Sequence, residues 1–153
     1  MDPADKVVFL ISIFNVVIFL FLKIFLFQFS SGTVCIINNI INKEKIEKDV
    51  KTIQKLFESL GFDFFEQYCH NYPTQNQIGQ LMKKFSKFKN PKSMFVFVLT
   101  NGSEKGLEDN TGSLYDINEI ILENLSCQNA PHLREIMKII VVQAFRYNAT
   151  LQK

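Results

Sequence analysis

From Gly32 onward, short apolar runs alternate with segments whose apolar residues recur every three or four positions. This is the pattern of a parallel sheet covered by helices. Val34 to Ile37 reads as a first strand. Ile46, Val50, Ile53, Phe57 and Leu60 follow at spacings of four, three, four and three, one face of a helix. Gly61 ends that helix, because glycine takes the left-handed conformation of a helix C-terminus without steric cost. Phe62 to Phe65 makes a second strand. Pro73-Thr74 opens the next helix, with Gln77 completing a Thr-x-x-Gln capping box. Ile78, Leu81, Met82, Phe85 and Phe88 form its apolar face.

Met94 to Leu99 is an unbroken apolar run, as expected of a strand buried on both faces. A polar loop spans Asn101 to Ser113. Asp116-Ile117-Asn118-Glu119 then resembles a second capping box, leading a short helix with Ile117, Ile120, Ile121 and Leu125 inward. Ile139 to Val142 is the last strand. The expected fold is α/β in three layers, a mostly parallel sheet of about four main strands flanked by helices. Residues 32–153 contain no internal repeat and no dividing linker, so they read as one domain. In such sheets, sites form beyond the carboxyl ends of strands. That rule draws attention to Asn101, after the third strand, and to Phe145, after the fourth.

Residues 1–31 have a different texture. Of the 23 residues from Val7 to Phe29, only Ser12, Asn15, Lys23 and Gln28 are not apolar. As a helix the block would run about 34 Å, enough to cross a hydrocarbon core of about 30 Å. Lys23 lies toward one end, where its long stem reaches the headgroups. Lys43, Lys45 and Lys48 follow the block while Lys6 alone precedes it, which favours a cytoplasmic C-terminal part. Three readings fit: a membrane span, a secretory signal peptide, and translated noncoding sequence in a gene model. The signal peptide fits worst, since the apolar region is long and no small-residue cleavage pattern precedes Ser30-Ser31.

A net charge of +2 points to no strongly charged partner, and nothing suggests nucleic acid, a metal or a cofactor. The basic run Lys83, Lys84, Lys87, Lys89 and Lys92 reads as a solvated helix face and its following turn, with acidic lipid headgroups as the alternative. Cys35, Cys69 and Cys127 show no metal-like or redox-like spacing and read as reduced thiols. Three Asn-x-Ser/Thr sequons, at Asn101, Asn124 and Asn148, are expected by chance in an Asn-rich chain.

Gln143-Ala144-Phe145-Arg146-Tyr147 resembles the caspase motif Q-A-C-[RQG]-G, with Phe145 at the Cys position and Tyr147 at the Gly position. Asn101, 44 residues upstream in Leu99-Thr100-Asn101-Gly102-Ser103, stands at the position of the family's catalytic His. Val34-Cys35-Ile36-Ile37-Asn38-Asn39 is similar to the family's Ala-Leu-Ile-Ile-Asn-Asn strand and turn. Lys48-Asp49-Val50 through Leu60-Gly61-Phe62 resembles its helix and second strand. Asp109 and Leu114-Tyr115-Asp116 look like its stretch after the catalytic His. The resemblance covers the large, p20-type subunit, from about Gly32 to Tyr147, without the small-subunit part.

The resemblance implies a cysteine endopeptidase scaffold whose dyad positions hold Asn101 and Phe145. Gly102 matches the family's oxyanion donor, and Gln143 matches a residue lining the pocket for a substrate Asp. The second pocket Arg comes from the small subunit in the family, so an Asp-specific pocket is incomplete within these 153 residues. In the family the small subunit also continues the sheet, which would leave Met137–Val142 as an edge needing a covering partner. Cys69-His70 is adjacent in sequence, a poor arrangement for a replacement dyad.

Three functions compete on this reading. The first is an inactive homologue that modulates an active caspase or its adaptor, or acts as a decoy for it. The second is a non-functional truncated fragment of a caspase gene. The third is an active Asp-specific cysteine endopeptidase, which the substituted dyad positions disfavour.

Overall fold

The computed structural model describes residues 7–11, 31–40, 43–67, 69–103 and 105–146. Its long strands are β1 (Val7–Ile11), β2 (Thr33–Asn38), β5 (Ser93–Ser103) and β8 (Met137–Arg146). Short strands β3 (Asp63–Phe64), β4 (His70–Asn71), β6 (Gly106–Glu108) and β7 (Leu114–Tyr115) complete the sheet. The helices are α1 (Lys43–Ser59), α2 (Gln75–Phe85) and α3 (Glu123–Leu125), the last continuing a π-helical turn at Asn118–Leu122. The main path of the sheet runs β1-β8-β5-β2-β3, and β4 pairs with the far end of β2. All these pairs are parallel, whereas β6 folds back antiparallel on β5 and β7 on β6.

Side chains alternate across the sheet, so β2, β5 and β8 each feed two cores. Cys35, Ile37, Met94, Val96, Val98, Ile140 and Val142 pack with Ile78, Leu81, Met82 and Phe85 of α2. Val34, Ile36, Phe95, Phe97, Leu99, Ile139 and Val141 pack with Ile46, Ile53 and Phe57 of α1. This is the three-layer α/β arrangement that the apolar runs predict: a strand buried on both faces has no polar face to show.

Helix ends follow the expected chemistry at two points. Thr74 caps α2, its hydroxyl accepting from Gln77 N–H while the Gln77 side chain accepts from Thr74 N–H. At the end of α1, Gly61 takes φ 77°. Phe62 N–H donates to Phe57 C=O and Gly61 N–H to Glu58 C=O, each at 3.0 Å. These are the two bonds of a Schellman motif, and Phe62 packs edge-on against Phe57 with ring centroids 5.0 Å apart. The second expected capping box does not form. Asp116 Oδ1 accepts instead from Asn118 N–H and its side-chain amide, and Asn118–Leu122 winds as a π-helix.

Three expectations change. First, Val7–Ile11 is a strand and not the first turns of a spanning helix, while residues 12–29 of the apolar block lie outside the described residues. Among the described residues no helix is long and apolar enough to cross a membrane. An apolar run has no period, so helix and strand cannot be told apart from it. Second, Met137–Val142 is not an edge. β1 pairs with it in parallel, Val7 beside Lys138 through Ile11 beside Val142. Third, β5 and β8 run past their apolar stretches to Ser103 and Arg146, the polar loop from Asn101 contains β6, and β7 follows directly after it. Their polar ends pair with each other, and ladder bonds do not depend on side-chain polarity.

Candidate functional site

Because β5 and β8 continue in register, Asn101 lies directly beside Phe145, and Gly102 beside Arg146. Strands this close are about 4.8 Å apart, so the positions matched to a base and a nucleophile are neighbours. Alternation puts Leu99, Asn101, Gln143 and Phe145 on the α1 side of the sheet. The half-buried Phe145 packs against that core. Its ring carries no nucleophilic atom. The half-buried Asn101 can donate and accept hydrogen bonds, but its amide exchanges no proton near neutrality.

Gln143 is buried, and its Oε1 has no hydrogen-bond partner among the described residues. Gly102 is also buried, with Leu107 of β6 paired on one flank and Arg146 of β8 on the other. A Cβ there would lie 3.1 Å from the Gly106 carbonyl oxygen and 3.4 Å from Ala144 Cβ, so the hairpin presses closely on this residue.

Two side chains hold that hairpin across the strand ends. Thr100 Oγ1 donates to the Glu108 carbonyl at 2.5 Å, and the Asn39 side-chain amide reaches the same oxygen at 3.4 Å. Asp109 is buried next to them. Its Oδ2 accepts from Gln75 N–H at 2.8 Å, and its Oδ1 from Thr111 N–H, Thr111 Oγ1 and Ser113 N–H at 2.8, 2.6 and 3.0 Å. Burial pushes the Asp109 pKa up, but the hydrogen bonds from Thr111, Gln75 and Ser113 outweigh it and hold the carboxyl below its ordinary value. Asp109 therefore ties the loop to the N-terminus of α2. The sequence placed it only by family likeness, because three of its four donors are backbone groups that no residue pattern reveals.

Cys35, Cys69 and His70 do not form a substitute dyad. Burial pushes the Cys35 thiol far up, helped by Cys69 and Glu66. Burial likewise raises Cys69 to about 11, and its Sγ–H points to Asn71 Oδ1 at 3.5 Å. His70 has both ring nitrogens engaged, Nε2 at 3.3 Å from the Phe65 carbonyl and Nδ1 at 3.0 Å from Gln67 Nε2. A carbonyl only accepts, so Nε2 carries the proton. Desolvation lowers the His70 pKa, partly offset by the bond to Phe65 and the charge of Glu66. Among the described residues, no three His, Cys, Asp or Glu side chains gather as a metal site requires.

Two surface clefts lie elsewhere. One of about 700 Å³ separates α2 from the π-helical turn, and one of about 310 Å³ is lined by His70, Tyr72 and Lys84. Neither is lined by Asn101, Gly102, Gln143 or Phe145.

No curated protein matches the chain. A family model of the caspase domain matches residues 31–153, most of the chain and the whole α/β unit from β2 to β8. With that match, and with a parallel sheet between two helical layers whose strand ends carry the likeness, the chain belongs to the caspase family, whose members are cysteine peptidases.

Proposed function

We propose that this chain is an inactive member of the caspase family that works by binding, modulating an active caspase or its adaptor in apoptotic signalling. The observation that carries the reading is the pairing of Asn101 with Phe145 at the matched positions. Covalent catalysis needs an activated nucleophile with a base in reach. A phenyl ring and a carboxamide supply neither. Cys35 and Cys69 do not compensate, because a thiol held protonated is a poor nucleophile. Gly102 keeps the position matched to the family's oxyanion donor, between β6 and β8. Gln143 keeps its place near the strand end, and the domain acts in the cytoplasm.

The test has two stages. The purified chain is first given Asp-containing fluorogenic peptides, and no turnover above buffer is expected. It is then titrated into an active caspase, with binding and peptide-cleavage rate both followed. Neither association nor a rate change across several relatives would sink the binding role. Asp-dependent turnover abolished by changing one residue of this chain would overturn its inactivity.

A further inference from the structure

The cleft of about 700 Å³ beside α2 has three features that the packing of this chain does not account for. The first is charge. Lys83 and Lys87 line it from α2, and Glu119 and Glu123 from the π-helical turn and the start of α3. Among the described residues none of these four side chains makes an ion pair or a hydrogen bond, so walls of opposite sign face each other without neutralising. The walls are fixed, because Ile78, Met82 and Phe85 behind one share a core with Ile121 and Leu125 behind the other. The second is Gly79, inside α2 and on the cleft lining. Glycine is a poor helix former, and a Cβ at Gly79 would meet nothing within 4 Å. The fold does not need its small size, yet it leaves bare backbone on the cleft. Third, Asn76 and Gln80 line the cleft with carboxamides that make no hydrogen bond among the described residues. Each offers both donors and an acceptor.

We infer that this cleft binds an extended segment of a protein partner whose charges alternate in sign. Successive side chains of an extended chain point opposite ways. Acidic residues of the segment therefore reach Lys83 and Lys87, while the basic residues between them reach Glu119 and Glu123. Its backbone lies over Gly79, and its N–H and C=O groups, which a helix would already have paired, meet the carboxamides of Asn76 and Gln80. The lengths agree: from Asn76 to Lys87 α2 rises about 17 Å, the span of about five extended residues. The inference rests on the binding reading above and names its surface.

The probe is a fluorescent, end-blocked Glu-Lys-Glu-Lys-Glu-Lys peptide, titrated into the full chain at low salt. Its control, Glu-Glu-Glu-Lys-Lys-Lys, has the same composition but presents each wall with both signs. The alternating peptide should bind at least about tenfold more tightly, and the difference should shrink as salt screens these exposed charges. Equal affinity for the two peptides, or no binding of the alternating one up to about 10 mM, overturns the inference.

Variants locate the site. Gly79→Leu improves helix propensity and its Cβ meets no neighbour, so the chain still folds while the side chain fills the cleft. It should weaken binding of the alternating peptide at least about tenfold. Lys83→Glu with Lys87→Glu makes both walls negative and should do the same. Adding Glu119→Lys and Glu123→Lys exchanges the walls. Binding should then return, because the peptide shifts by one residue and presents the opposite signs. Undiminished binding in either of the first two variants, or no return in the last, overturns the site. A Gly79→Leu chain that still alters the rate of an active caspase as the unaltered chain does would remove this surface alone and leave the binding role standing.

Discussion

Asp109 and Phe145 show how single residues at the strand ends serve the scaffold more than any reaction. Asp109 satisfies the first N–H of α2 and two N–H groups of its own loop, and a negative charge at a helix N-terminus is favourable. Asp109→Ala leaves those donors without their acceptor and should cost about 1–3 kcal/mol in urea unfolding at neutral pH. The sign of the pH effect follows from the lowered pKa. The carboxylate's contribution is complete above the unfolded-chain value, about 3.9, and fades as pH falls through the lower folded value. Stability of the unaltered chain should thus drop more steeply below about pH 4 than that of Asp109→Asn. Parallel curves would mean that the charge contributes nothing. Phe145 packs on the α1-side core, so Phe145→Cys should destabilise by about 1–2 kcal/mol, less than for a fully buried ring. Unchanged stability would show that this position is free of packing duty.

At the level of elements, what was legible depended on whether the signal was local. The face of α1, the Thr74–Gln77 box and the Gly61 stop are written within a few residues, and each appears as read. Thr74→Ala should accordingly cost about 1 kcal/mol, readable in the same urea titration. Strand ends were not legible, because Thr100–Gly102 and Gln143–Arg146 are held by pairing across 40-odd residues and not by their own polarity. The difference bears on the site: Asn101 and Phe145 occupy the last rungs of a ladder, where a loop beyond the sheet was expected. Gly32 was another silent position. A Cβ there would lie 2.5 Å from the Ser93 carbonyl oxygen and against its hydroxyl, where β2 begins beside β5. Gly32→Ala must therefore move backbone, and a loss of about 1–3 kcal/mol is expected. A neutral outcome would show that the start of β2 yields more easily than this contact implies.

For the whole molecule, the three cysteines sample distant parts of one structure. Cys35 is fully buried at the centre of the sheet on the α2 side, Cys127 is buried after α3, and Cys69 is half-buried beside β4. A sheet whose central strands contribute to both cores links the two helical layers, so neither layer should open while the other stays closed. Thiol labelling makes this measurable. In the native chain Cys69 should react about two orders of magnitude more slowly at pH 8 than an ordinary thiol, because a pKa of about 11 leaves little thiolate. Cys35 and Cys127 should stay unlabelled until urea unfolds the chain, then appear together at the midpoint seen by far-ultraviolet circular dichroism. If Cys127 became reactive at lower urea than Cys35, the α2-side layer would be unfolding as a separate unit. The single cooperative domain inferred from the alternation of strands and helices would then have to be divided.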